Sequence, residues 1–221
     1  MILSHEHAGY QRLWQYGDAN RFNGAYYYSV EICENIIPNV KTERSWITIN
    51  YNPEVRRRAL NGAVTFIHNN LNTKSYEWLR AYRDLILVCG IPETCDKVKH
   101  LGTPVYLPLS VDVPYVEQFK TAKTKGTAYC GRPHKLGADR LRAQGVDMLE
   151  GMPREELLAA MAQYEKVYAV GRCAIEAKVL GCEVLPYDER YPDPSIWWVV
   201  DNHEAAAMLQ ELLDEIDGRQ S

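Results

Sequence analysis

Leu85-Ile-Leu-Val-Cys89 runs apolar through its whole length with no polar alternation. Alternation marks a strand with one face in water, whereas an unbroken apolar run marks a strand covered on both faces, as in a parallel sheet. The flanking segments fit that reading. Ahead of it, Ala63–His68 reads as a strand and Ser75–Asp84 as a helix with Ser75 at its N-cap. Behind it, Glu93–His100 reads as a helix and Thr103–Leu107 as a strand. Further upstream, Trp46-Ile-Thr-Ile-Asn50 is β-branched and strand-like, and Pro53–Leu60 opens with Pro at a first-turn position. Ala25-Tyr-Tyr-Tyr28 reads as a strand, and Val30–Ile37 as a helix that Pro38 stops. Residues 1–23 show no clean period and are expected to form a short helix or an arm. These strands separated by helices predict a mostly parallel α/β sheet.

A composition shift follows. Residues 113–125 carry Pro114 and the lysine-rich Lys120-Thr-Ala-Lys-Thr-Lys125, which reads as a hinge between two units. Beyond it a second strand–helix series runs through Thr127–Cys130, Leu136–Ala143, Val146–Leu149, Arg154–Tyr164, Lys166–Val170, Cys173–Leu180 and Cys182–Tyr187. An amphipathic helix over His203–Ile216 closes the chain. The expected architecture is therefore two small Rossmann-like units, 1–113 and 126–221, facing across a cleft, with the final helix packing back.

Bulk properties narrow the function. The chain of 221 residues carries a formal net charge of −4, and its densest basic run is Arg56-Arg57-Arg58. That argues against a strongly electropositive nucleic-acid surface. The cysteines form no Cys-x-x-Cys pair, so no zinc site and no metal are expected. His5-x-His7 lacks a nearby carboxylate or Cys partner and reads as part of a terminus. Met1-Ile-Leu-Ser leads straight into His5, Glu6 and His7, which leaves no signal-peptide core. No apolar run approaches the roughly 20 residues that span a bilayer. A cytoplasmic protein without a membrane span is expected.

Four stretches stand at predicted strand ends, where open α/β sheets bind ligands. They are Val64-Thr-Phe-Ile-His68, Leu107-Pro-Leu-Ser-Val-Asp112, Gly131-Arg-Pro-His-Lys135 and Gly171-Arg-Cys-Ala-Ile-Glu176-Ala-Lys-Val-Leu-Gly181. In this order they resemble the glycosyltransferase B-type (GT-B) fold, and within it the large retaining family of sugar-nucleotide transferases. The resemblance is clearest from 126 to 188. It implies a glycosyltransferase that moves a sugar from a nucleotide-diphosphate sugar, such as a UDP-sugar, to an acceptor.

The resemblance also implies roles. Gly131, Arg132 and Lys135 would grip the donor diphosphate, Arg as a bidentate fork and Lys as a mobile point charge. Here Arg132 and Lys135 stand closer together than is usual in the family. Glu176 would accept hydrogen bonds from the ribose hydroxyls. Gly171 and Arg172 would let the backbone approach a phosphate or sugar, and Gly181 would close the helix in a left-handed cap. His68, ending its strand, would hydrogen-bond the sugar near the reacting carbon. Asp112 would cap the segment after it.

Two positions depart from the pattern. Glu183 stands where a Pro is usual, and Tyr168 stands where many relatives carry a second Glu that contacts the transferred sugar. The segment from Gly24 to Asn50 resembles hypothetical phage products, which would make a modified DNA base a candidate acceptor. Trp197-Trp198 is expected to help dock the final helix. A non-catalytic nucleotide- or partner-binding module on the same scaffold is the alternative, and a nucleotide-sugar hydrolase or epimerase a third reading.

Overall fold

The computed structural model describes residues 2–3, 32–48, 61–67, 72–131, 137–186 and 188–220. Contacts divide them into two compact units. One holds the described residues up to Pro108 together with those from Asn202 onward, and the other holds those from Leu109 to Asp201. Both are α/β with parallel sheets, the layout expected of Rossmann-like units.

In the first unit, β1 (Ile2–Leu3), β2 (Trp46–Ile47), β3 (Val64–Ile67), β4 (Ile86–Cys89) and β5 (Thr103–Tyr106) pair in that order, all parallel. Every residue of β3 and β4 is buried, as the unbroken apolar run of β4 requires. β5 borders the sheet, where Pro104 removes a ladder donor at little cost. The described strands include one that was not expected. Ile2–Leu3 takes the edge, although residues 1–23 read as a helix or arm. A two-residue strand has no period to read, and its pairing with Trp46–Ile47 is what defines it. Ala25–Tyr28 and Pro53–Leu60 lie outside the described residues.

Local helices shift for chemical reasons. The segment expected to be capped by Ser75 is a 3-10 helix, Thr73–Ala81, and its N-cap is Asn72, whose side chain accepts from Lys74 N at 3.2 Å. Ser75 Oγ donates instead to Asn72 O at 3.3 Å. The segment ahead of Pro38 is a π-helical turn, Ile32–Ile36, running into a 3-10 turn, Ile37–Asn39. Pro38 stands in the first turn of the latter, where its missing N–H is not needed.

The chain returns to this unit at its end. Helix α6 (Asn202–Gln220) follows five shorter helices introduced below and packs against Ile32–Ile36. Ala205, Ala206, Leu209 and Leu213 are buried along it. Gln210 acts as a substitute strand edge: its Oε1 accepts from Lys41 N at 2.6 Å and its Nε2 donates to Lys41 O at 3.2 Å. Arg44 reaches Asp217 Oδ1 at 2.7 Å.

Among the described residues, the other α-helix of the first unit is α1 (Pro92–Val98), between β4 and β5. In the second unit, α2 (Val113–Glu117) precedes β6 (Lys125–Cys130). Then α3 (Ala138–Ala143), β7 (Asp147–Leu149), α4 (Arg154–Met161), β8 (Tyr164–Tyr168), α5 (Arg172–Val179) and β9 (Glu183–Leu185) alternate. The four strands pair in parallel in the order β7-β6-β8-β9.

This unit begins at Leu109, so residues 113–125 lie inside it and are not a boundary between the two. Val111 bridges Asp201, and Asp201 Oδ2 accepts from Val113 N at 3.1 Å. Asp112 caps α2 as expected, accepting from Tyr115 N at 2.9 Å. Within the lysine-rich stretch, Lys123 Nζ donates to Ala162 O at 2.9 Å and to Leu180 O at 2.7 Å. Those are the C-cap residues of α4 and α5, so one ammonium satisfies carbonyls at two helix ends. Gly181 closes α5 at φ +79°, with Cys182 N on Ala177 O at 2.8 Å and Gly181 N on Lys178 O at 2.9 Å. That is a Schellman motif. Among the described residues, no helix is long and apolar enough to cross a membrane.

Candidate functional site

The strand order of the second unit places a topological switch point. The chain leaves β6 for β7 on one side and then crosses to β8 on the other. With both crossovers in the usual hand, α3 and α5 lie on opposite faces of the sheet. Open α/β sheets bind ligands at such a point, outside the carboxyl ends of the strands. Tyr129 of β6 pairs with Tyr168 of β8, so Gly131 and Gly171 both stand just past the strand ends, on the two sides of the switch.

Each glycine is required for a different reason. Gly171 adopts φ +63° and ψ −137°, a region almost confined to glycine. A β-carbon there would have room, its nearest neighbour being Leu109 Cδ1 at 3.7 Å. Gly131 has the opposite problem. A β-carbon on it would lie 2.6 Å from Tyr129 Cζ and closer still to the phenol oxygen, and Tyr129 is fully buried. The ring lies where a side chain would go.

Glu176 is drawn into the body of the unit. Its Oε1 accepts from Arg172 Nη2 at 3.0 Å and from Arg154 Nη2 at 3.3 Å, and its side chain is 5% exposed. Arg172 opens α5 and Arg154 opens α4, both at helix N-termini where the macrodipole disfavours a cation. The shared carboxylate offsets both. Arg154 also stacks over the Tyr115 ring, 5.2 Å from its centroid, and Tyr115 Oη donates to Glu155 Oε1 at 3.2 Å. Burial, then the Glu155 carboxylate, push the Tyr115 phenol up. A continuous path therefore runs from the Asp112 cap through Tyr115 and Arg154 to Glu176 and Arg172.

The structure thus brings Gly131, Gly171, Arg172 and Glu176 into one unit around one switch point. His68, Arg132 and Lys135 lie outside the described residues, as do His134 and the terminal His5 and His7. His68 directly follows β3, and Arg132 directly follows Gly131. Tyr168 packs against the cluster of Tyr129, Ala138 and Leu141. Arg154 is the residue that the sequence reading missed. An arginine opening a helix whose next residues are Glu155 and Glu156 runs against the dipole, and that anomaly was visible.

Thiols gather beside the same switch. Cys130 ends β6 and is buried; Cys173 is the second residue of α5 and partly exposed. The Cys173 side chain, then burial, push the Cys130 thiol up. Trp197 is buried and Trp198 is 54% exposed. Among the described residues, no group of three or more His, Cys, Asp or Glu side chains is arranged to hold a metal ion. Comparison of the chain with protein-family models, curated proteins and solved structures returns no match.

Proposed function

We propose that this chain is a compact glycosyltransferase that takes a sugar from a nucleotide-diphosphate sugar, with the donor seated at the switch point of the second unit. The observation that carries the reading is the pair of glycine turns, Gly131 and Gly171, flanking that switch. One turn is kept bare by the ring beneath it and the other by its backbone conformation. Both therefore leave the chain without side chains where a diphosphate would approach.

In this proposal Arg132 and Lys135 meet the charge that grows on the leaving diphosphate, which is where fixed cations accelerate most. An acceptor oxygen bonds the anomeric carbon as the carbon–phosphate oxygen bond breaks. The acceptor's proton ends on the departing diphosphate or in solvent. His68 hydrogen-bonds the sugar, and Glu176 accepts from the ribose with the oxygen that the two arginines do not share. The GT-B arrangement belongs to the same proposal. A modified DNA base remains the candidate acceptor.

One observation favours the second reading, a nucleotide-binding module without transfer. Tyr168 stands at the sugar-contacting position of the resemblance and is committed to packing on Tyr129, Ala138 and Leu141. Incubation with a panel of UDP- and GDP-sugars separates the two. Release of nucleoside diphosphate supports the transferase, and binding of bare nucleotide without turnover supports the module. Arg132→Ala is expected to weaken nucleotide binding by about 1.5–3 kcal/mol, the worth of a hydrogen bond between charged groups. Failure of the wild-type chain to bind any nucleotide would remove both readings.

A further inference from the structure

Lys123 does more than hold two carbonyls. Its Nζ, which donates to Ala162 O at 2.9 Å and to Leu180 O at 2.7 Å, also donates to Cys182 Sγ at 3.2 Å. Three ammonium protons thus face three acceptors, one of them a sulfur. Cys182 follows the Gly181 turn that closes α5 and is a buried free thiol, with Sγ donating to Met161 O at 3.5 Å. Lys123 comes from the stretch ahead of β6, so the contact joins groups 59 residues apart. Lys123 is itself partly exposed, which places the pair at the rim of the unit, within reach of a small solute.

We propose that Lys123 and Cys182 form a reversible sulfenamide, a sulfur–nitrogen bond closed when hydrogen peroxide oxidises the thiol. Cys182 Sγ, as the thiolate, attacks one peroxide oxygen and the O–O bond breaks. The departing hydroxide takes the thiol's proton, leaving a sulfenic acid and one water. Lys123 gives one proton to solvent, and its amine attacks Cys182 Sγ to form the S–N bond. The sulfenic oxygen leaves as hydroxide and takes a proton from the nitrogen, giving the second water. Sulfur loses two electrons and the peroxide gains two. Sulfenic acids condense in this way with backbone nitrogens, and an amine held against the sulfur can take that place. Burial pushes the Cys182 thiol up, and the Lys123 ammonium draws it part of the way back.

The bond would change what Lys123 does. A sulfenamide nitrogen is uncharged and keeps one N–H where the ammonium had three, so it cannot serve Ala162 O and Leu180 O together. Those carbonyls end α4 and α5, the helices whose opening residues Arg154 and Arg172 hold Glu176. Peroxide would therefore act on the two elements that carry the candidate site, from their far ends. The inference does not depend on which ligand, if any, that site binds. Cys89 is the internal comparison: it is also buried, but its Sγ donates to Leu87 O at 3.5 Å, and burial pushes its thiol up.

The test treats the intact chain with hydrogen peroxide, quenches with catalase and acid, and maps non-reduced peptides by mass spectrometry. The expected product has lost two hydrogens and links the peptides that carry Lys123 and Cys182, and dithiothreitol reverses it. Lys123→Arg keeps a cation but removes the primary amine, and is expected to leave Cys182 as a sulfenic acid that dimedone traps. Dimedone added to the wild type during oxidation is expected to suppress the link, a check that needs no variant to fold. A wild-type chain in which Cys182 stays a thiol, becomes a sulfinic acid, bonds another cysteine or keeps an added oxygen in the link overturns the proposal. Oxidation of Cys89 to the same extent overturns it too. These readouts involve no nucleotide, so their failure is distinct from failure of the proposed transferase.

Discussion

Gly171 and Gly131 would both resist substitution, and the way each resists tells them apart. At Gly171 the cost is conformational, because φ +63° with ψ −137° strains any residue with a β-carbon. Gly171→Ala is expected to destabilise the chain by about 1–3 kcal/mol in denaturant unfolding. Gly131→Ala creates overlap with the buried Tyr129 ring, and overpacking costs roughly 1–3 kcal/mol. Removing the phenol oxygen should ease the second loss and leave the first untouched. Adding Tyr129→Phe to Gly131→Ala removes the nearest atom, the phenol oxygen, and is expected to recover part of that cost. No recovery would mean that the remaining contact with Cζ, at 2.6 Å, sets the cost.

A pH effect belongs to the same scale. Asp188 accepts from Arg190 Nε and Nη2, each at 2.6 Å, and from Arg190 N at 3.0 Å. The Arg190 guanidinium, with its backbone N–H, holds the Asp188 carboxyl down at about 2. A carboxyl depressed on folding contributes stability that is present above its ordinary value, near 4, and is lost as the pH falls toward 2. The stability gap between wild type and Asp188→Asn is therefore expected to shrink as the pH drops from about 4 to about 2. A gap constant over that window would show that the carboxyl titrates normally.

At the scale of elements, Glu176 joins the N-termini of α4 and α5 through one oxygen. Removing one partner of a buried ion pair leaves charge uncompensated, at roughly 3–5 kcal/mol. Glu176→Ala should reach that range, because two guanidiniums lose their acceptor at once. An effect below about 1 kcal/mol would place the triad in the class of exposed pairs. Function at Glu176 is better tested in the wild type, by comparing ribose with 2′-deoxyribose nucleotides, since that leaves the triad intact. Lys123 does similar work at the other ends of the same helices. Lys123→Met keeps the aliphatic stem and strips the ammonium from Ala162 O and Leu180 O. A loss of about 2 kcal/mol is expected from calorimetry, in line with hydrogen bonds to a charged group.

At the scale of the whole molecule, the chain's last helix completes the unit that its first residues begin. Leu209 and Leu213 are buried, while the Arg44–Asp217 pair at the rim is partly exposed and worth at most about 1 kcal/mol. Apolar burial therefore carries the attachment. Truncation after Asp201 is expected to lower hydrogen-exchange protection in β3 and β4 far more than in β6 and β8. Uniform loss across both sheets would show that the two units unfold together.

How much of this was legible in the sequence follows from the range of each interaction. Strand β4 was readable because burial on both faces demands a continuous apolar run, which is a local property. The Asp112 cap and the Gly181 closure were readable because their partners lie within a helical turn. The paired glycines at two strand ends were visible as positions, and only the strand order put them on opposite sides of one switch. Ile2–Leu3 became a strand only by pairing with Trp46–Ile47. Arg154 and Lys123 acquired their roles from groups 22 and 39 or more residues away. Sequence alone therefore determined the parallel α/β class and the local caps, since those depend on composition and near neighbours. Tertiary structure decided which charges meet and to which unit the last helix belongs, because chain return, not spacing, brings such groups together.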